Sequence, residues 1–193
     1  MKSRSKLGVN LLIAILLLSG CSSTDRTPAP SPSDETANTD VSKFVVPTSC
    51  DLTGVNAAFA KIIPPSKYIP TEWTPAEGTD LAAVLNNGGI ACTYGDQNAE
   101  VGGTVMWVKN VDELWLTQVK KWQAEGLESI DIPGLNESEA YKLPDGSTSV
   151  DGMPAWRVNL LIDDLWIQLG AAFIQSYEEA TPIIDAAIQA ATK

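Results

Sequence analysis

The chain contains no histidine. That absence removes Ser-His-Asp and Cys-His catalytic arrangements and every imidazole-based metal centre. Cysteine is scarce as well, three in 193 residues, and two cysteines alone do not saturate zinc once the third is used elsewhere. Basic side chains are outnumbered, 13 Lys and Arg against 24 Asp and Glu. An acidic excess of that size repels nucleic acid and anionic headgroups. No Gly-x-Ser-x-Gly elbow, Walker A loop or dinucleotide fingerprint occurs. The expectation is therefore no cofactor, no metal, no nucleic-acid partner and no motif-borne catalytic residue. Carboxylates are the chemistry that remains.

Long hydrophobic runs are also missing, with one exception. Lys2, Arg4 and Lys6 precede an almost purely aliphatic stretch, Leu11 to Leu18, which small residues connect to Cys21. The stretch is shorter than the ~20 residues of a membrane span, and a basic start, an apolar middle and a small-residue end make a secretory signal. A retained membrane anchor is the alternative, and the short run and its Ser-Gly-Cys ending argue against it. Leu18-Ser19-Gly20-Cys21 resembles the bacterial lipobox, in which the cysteine becomes the lipidated first residue of the mature protein. That resemblance implies a signal peptide over residues 1–20, lipid attachment at Cys21, and residence on the outer, extracytoplasmic face of a bacterial cell membrane. Two or more acyl chains hold a protein stably on a membrane, and its folded part then occupies an oxidising space. Cleavage removes three basic residues and leaves 10 against 24, a net −14.

Ser22 to Asp40 is filled with Ser, Thr, Pro, Ala and Asp, with Pro28, Pro30 and Pro32 alternating. Such composition buries too little surface to offset its ordering entropy, and proline biases it toward extended spacing. Residues 21–47 are expected to be a tether, the alternative being a Pro-rich ligand segment. Residues 48–193 then form one domain of ordinary size. With Cys21 lipidated, Cys50 and Cys92 are left as an even pair in an exported domain and are expected to form a disulfide. It would tie the start of the first helix to the first central strand.

Several elements can be read directly. Leu52, Val55, Phe59 and Ile62 share a helical face behind a candidate cap at Asp51. Pro64-Pro65 stop that helix, and the chain stays irregular to about Gly78, with an ambiguous short helix at Asp80 to Asn86. Ile90 to Gly95 and Val101 to Val108 flank a polar loop and predict a hairpin. Asn110 with Glu113 reads as a capping box for a helix whose stripe is Val111, Trp115, Val119 and Trp122, closed by Gly126. Ala155 to Phe173 predicts a second hairpin turning at Asp163-Asp164. Val158, Leu160 and Ile162 lie opposite Leu169, Ile167 and Leu165 on one side, and Arg157, Asn159, Gln168, Leu161 and Trp166 fall on the other. Thr181-Pro182 reads as N-cap and N1 of a terminal helix. With one or two weak strands near Glu139 to Val150, the order predicts an α+β fold. Its antiparallel sheet is built from hairpins, packed on one face against about three helices, with one disulfide.

The lipobox, the tether, Cys50 opening the first helix, and Cys92 within Ile90-Ala91-Cys92-Thr93-Tyr94 together resemble the layout of small lipoproteins of actinobacterial cell envelopes, some with a PsbP-like α+β fold. The resemblance implies a fold and an address; it carries over no catalytic residue.

The adjacent acids Asp112/Glu113, Asp163/Asp164 and Glu178/Glu179 read as helix cap, turn and solvated surface, since neighbours in sequence rarely face each other. Asp145 to Asp151 alternates oxygen side chains like a calcium loop but lacks the sixth-position glycine and has Trp156 at the twelfth, so a polar connection explains it. Of six tryptophans, Trp115, Trp122 and Trp156 read as core. Trp166, Leu161 and Trp73 are the candidates for a ligand-facing surface, although for Trp166 burial under a helix that covers this face too is the favoured reading. Two functions follow. The favoured one is a non-enzymatic binding or accessory module whose partner is an envelope protein or an apolar or saccharide ligand. The rival is a carboxylate-dependent envelope hydrolase, which needs two acids from separate segments ~5–9.5 Å apart in a cleft.

Overall fold

Alternation of apolar side chains along two hairpins builds the middle of the sheet. In the computed structural model, which describes residues 43–135, 138–149 and 151–193, strands β2 (Ile90–Asp96) and β3 (Val101–Lys109) form one hairpin, and β6 (Ala155–Ile162) and β7 (Leu165–Ala172) the other. The second has the register expected from its pattern: Ile162 faces Leu165, Leu160 faces Ile167, Val158 faces Leu169 and Leu161 faces Trp166. Asp163 takes φ +53° to make the turn, a left-handed conformation that aspartate tolerates better than most residues. The hairpins join through antiparallel pairing of β3 with β7.

Three short strands complete the sheet: β1 (Lys67–Ile69), β4 (Glu128–Ile130) and β5 (Ser138–Lys142). The seven strands run in the order β1-β2-β3-β7-β6-β5-β4, with every pairing antiparallel. Both β1 and β4 are three residues long, too short for an alternation to show in the sequence. The expected signal segment, Cys21 and the expected tether as far as residue 42 lie outside the described residues. The packed chain begins earlier than the expected boundary at residue 48, because Phe44 is buried and pairs with Thr192, and the Val45 N–H donates to the Ala191 carbonyl.

One face of the sheet carries α1 (Thr53–Ile62) and α4 (Tyr177–Ala190). Val55 and Phe59 from α1, and Ile183, Ile184 and Ala187 from α4, pack on Cys92, Trp107, Leu160 and Leu169. The Trp107 indole N–H donates to the Ala187 carbonyl at 3.0 Å, so the largest side chain of this layer is also hydrogen-bonded. Truncating Phe59, which is wholly buried, to alanine belongs to the class of core deletions that cost ~3–5 kcal/mol.

The other face is covered as well, which corrects the expectation of a single covered face. There α2 (Asp80–Asn86) and α3 (Asp112–Ala124) bring Val84, Trp115 and Trp122 onto Met106, Val108 and Trp166. The tryptophan stripe of α3 has nowhere else to bury, and Trp166 supplies its counterpart. The three indoles meet edge to face, Trp122 to Trp166 at 5.3 Å and Trp115 to Trp122 at 5.0 Å.

Three helix starts differ from the expected ones. At α1, Asp51 does not cap; Leu52 occupies the cap position without a side-chain bond. At α3, Asn110 adopts φ +57° and gives its N–H to the Asp164 carbonyl, so Val111 is the uncapped N-cap residue. Asp112 and Glu113 still sit in the first turn, where the dipole favours them. At α4, Ser176 is the N-cap, accepting from the Glu179 N–H, while the Glu179 carboxylate accepts from the Gln175 N–H. Pro182 lies inside the helix, and Thr181 donates back to the Tyr177 carbonyl. The end of α3 is as expected, with Gly126 at φ +87° and the Leu127 N–H returning to the Trp122 carbonyl.

The Cys50–Cys92 disulfide is present, with Cα atoms 5.3 Å apart. It ties the segment ahead of α1 to β2.

Candidate functional site

Cover on the α2/α3 side ends partway along the strands. Helix α3 lies over the half of the face that carries Val108 and Trp166, and the other half is floored by residues with little or no side chain. Register places Thr93, Thr104, Gly170 and Arg157 in a row across β2, β3, β7 and β6. The result is a trough of about 510 Å³, walled by Ile69 and Leu143 and rimmed by Asp96 and Glu100. A second hollow of about 520 Å³ continues from it toward Trp73, Leu81 and Met106, and the two share Thr104 and Arg157. Both volumes lie within the ~300–1,000 Å³ of small-molecule sites.

The glycines of this region differ in kind. A Cβ at Gly95 would collide with the Val101 carbonyl oxygen, and one at Gly102 with that of Tyr94, so close strand approach demands both. At Gly170 an added Cβ meets nothing within 4 Å among the described residues. A glycine in a strand interior often marks a place where a ligand or another backbone comes close. None of the described residues does so here.

The junction of the two hollows is a charged network. Asp80, on the first turn of α2 and 6% exposed, accepts from Lys121 Nζ at 2.9 Å through Oδ1. Through Oδ2 it accepts from Trp122 Nε1 at 3.0 Å and Gln168 Nε2 at 2.7 Å. Arg157 lies 3.6 Å from the same carboxylate and donates to Glu125 at 2.6 Å. Gln168 donates also to Asn159 Oδ1 at 2.6 Å, which accepts the Trp166 indole N–H at 3.1 Å. Two cations and two carboxylates thus balance, and buried charge of this kind is tolerable only when paired and hydrogen-bonded. The buried Arg157 Nε has no partner among the described residues.

The ligand-facing candidates separate. Trp166 is fully buried beneath α3, the reading favoured for it, and so drops out of the ligand-facing candidates. Leu161, its cross-strand neighbour, is half-buried and packs against the same tryptophan cluster. Trp73 is half-buried and lines the second hollow, its indole N–H donating to the Ala91 carbonyl at 3.0 Å. The acid pairs occupy helix starts and a turn, and Asp164 pairs with Lys109 at 3.2 Å. In the calcium-like loop, a hydrogen bond from Lys142 holds the Asp145 carboxyl below its ordinary range, and Ser147 Oγ donates to the Pro144 carbonyl. Among the described residues no group of three or more Cys, Asp or Glu side chains is arranged to hold a metal ion, and no helix is long and apolar enough to cross a membrane.

Arg157, Gly170, Thr104 and Asp80 are the site residues that reading the sequence missed. Two signals pointed at them: the polar stripe Arg157-Asn159-Gln168 opposite an apolar one, and a glycine in mid-strand. No family model, curated protein or solved structure matches the chain, so the site stands on its own geometry.

Proposed function

We propose that the protein is a membrane-tethered extracytoplasmic lipoprotein, anchored through Cys21, that acts as a non-enzymatic binding module of the cell envelope. The observation that carries this reading is the uncovered trough over Gly170, floored by small residues and bordered by Arg157. A sheet face elsewhere sealed by tryptophans leaves this part open, and the cost of leaving apolar surface wet is offset when a ligand covers it. The acids at the junction with the second hollow, Asp80 and Glu125, are held in ion pairs with Lys121 and Arg157, while Asp96 and Glu100 stand on the rim of the trough. The ion pairing of the first two favours a structural and positioning role for them over proton transfer, which supports binding over the hydrolase.

Two measurements test the reading. Palmitate labelling of cells should mark the wild-type chain and not Cys21→Ala; equal labelling would remove the anchor. Solvent extraction of the purified full-length chain, followed by mass spectrometry, should release a small molecule from wild type that is depleted in Gly170→Phe. Identical extracts from the two proteins would overturn the trough as the binding site.

A further inference from the structure

Charge around the two hollows is not balanced. Five carboxylates line them, Asp96 and Glu100 in the first and Glu77, Asp80 and Glu125 in the second, against two cations, Lys121 and Arg157. Both cations are engaged with Asp80 and Glu125. Asp96, Glu100 and Glu77 make no ion pair among the described residues, and Glu77 and Glu100 are exposed. Lys67, opposite Gly95 on β1, is exposed too and lines neither hollow. On a chain of net charge −11, three unpaired carboxylates attract a cation and repel an anion.

The placement of those three acids gives the occupant a shape. Asp96 ends β2 and Glu100 precedes β3, whereas Glu77 precedes α2 in the hollow that reaches Met106. Between these ends the floor follows β3 through Gly102 and Thr104 to Met106, with Gly170 opposite Thr104 on β7. Val101 to Met106 is about 17 Å of strand at ~3.3 Å per residue. Glycine and threonine leave that channel open, and Thr104, shared by both hollows, has a hydroxyl with no hydrogen bond among the described residues, able to accept from a donor above it. The Trp73 indole lines the hollow that holds Glu77, and an ammonium is drawn to a ring face as well as to a carboxylate. A basic peptide matches the charge, but on the face of a sheet whose strands are already paired it would bury its own N–H and C=O groups without partners. An oligoamine has no such groups, and its methylenes gain from the floor they cover.

We propose that the two hollows together bind a linear aliphatic oligoamine, one terminal ammonium at Asp96 and Glu100, the other at Glu77 beside Trp73, and the methylene spacers over Thr104 and Gly170. This rests on the binding-module reading and names its ligand class.

The test is calorimetric titration of the full-length chain, held in a nonionic amphipathic polymer at physiological ionic strength, with spermine as the probe. The comparisons are 1,4-diaminobutane, 1-aminodecane, trilysine, laurate and a chitin trisaccharide. Spermine should bind at least about tenfold more tightly than 1,4-diaminobutane, which is too short to reach both ends, and than 1-aminodecane, which carries one cation. Glu77→Gln and Glu100→Gln alter exposed side chains without an ion pair; each should weaken spermine about threefold and the two together about tenfold. Glu178→Gln with Asp185→Asn, on α4 across the sheet, removes the same charge and should change the affinity by less than about twofold. Gly170→Phe, which fills open space without meeting a neighbour, should weaken spermine at least about tenfold. Equal weakening by the two double variants is diffuse attraction to an acidic surface and overturns the site. Binding of 1-aminodecane or trilysine as tight as that of spermine overturns the oligoamine. Laurate or trisaccharide binding that is lost in Gly170→Phe, with spermine unaffected, overturns the oligoamine and leaves the binding module standing. No spermine binding at all overturns the oligoamine, and the extracts of wild type and Gly170→Phe then decide the binding module separately.

Discussion

Asp80→Ala is expected to cost about 3–5 kcal/mol, and the number follows from what the carboxylate touches. Its removal orphans the Trp122 indole N–H and one Gln168 amide N–H, both buried, at ~1–3 kcal/mol each. The Lys121 ammonium contributes less, because its side chain is 35% exposed and solvent screens the pair to ~0–1 kcal/mol. Breaking one side of a buried ionic cluster sits in the same range. Asp80→Asn keeps the shape and one acceptor and should cost ~1–3 kcal/mol; Lys121→Ala should cost ~0–1 kcal/mol. Urea unfolding followed by tryptophan fluorescence, disulfide intact, measures all three. Because Gln168 shares the network, the double variant with Gln168→Leu should recover ~0.5–3 kcal/mol relative to the sum of the singles. A loss below about 1 kcal/mol in Asp80→Ala, or one no larger than in Lys121→Ala, would show that the network does not hold α2 to the sheet and that the chain ordering carries the cluster instead.

Three further outcomes are expected. Opening the Cys50–Cys92 bridge, which spans 42 residues, should lower stability by ~4 kcal/mol in the chain-entropy model, read as a shift in urea midpoint between the oxidised chain and Cys50→Ala/Cys92→Ala. Ser176→Ala should cost ~1 kcal/mol as an N-cap loss and Thr181→Ala clearly less; the reverse order would move the start of α4 back to Thr181. Burial pushes the Tyr94 phenol above its ordinary 10.0, so the unfolded chain releases that proton first. Stability should therefore be complete below pH 10 and fall as pH rises beyond it, by ~1.4 kcal/mol per pH unit for each such group. Tyr94→Phe should show a shallower decline over the same range, and an unchanged slope would contradict the burial.

How much of this was legible in the sequence depends on the distance over which each feature is specified. The β6/β7 register follows from period-two alternation across a two-residue turn, all within Ala155 to Ala172. The end of α3 at Gly126 and the pairing of the two remaining cysteines are similarly local or arithmetical. Asn110 was misread because the same residue type serves as an N-cap or as a left-handed turn residue. Only the Asp164 carbonyl, more than fifty residues on, decides between them. The start of α4 was within reach: Ser176 and Glu179 are a capping pair, obscured by the louder Thr-Pro signal. Trp166 lay on the polar side of its hairpin, and nothing in that hairpin announces that α3 brings Trp115 and Trp122 to it. The trough was the least legible of all. It is defined by small side chains at residues 93, 104 and 170 on three strands, and absence of bulk leaves no periodicity to detect.

The disulfide also sets how the domain bears a mechanical load. Force applied at residue 43 first meets the Phe44–Thr192 bridge and the Val45–Ala191 bond, contacts that unzip one at a time. Peeling stops at Cys50, whose sulfur is joined to Cys92 in the midst of β2. From there the pull passes into the hydrogen-bonded ladder between β2 and β3, bypassing α1 and the proline turn that follows it. Those forty-odd residues are shielded from tension in the oxidised protein, and the first six or seven act as a short extensible lead. Cys92 adjoins Thr93, and its cross-strand partner Val105 adjoins Thr104, so the load enters the sheet beside the floor of the trough, and tension at the N-terminal side is delivered to the open face before it reaches the rest of the domain.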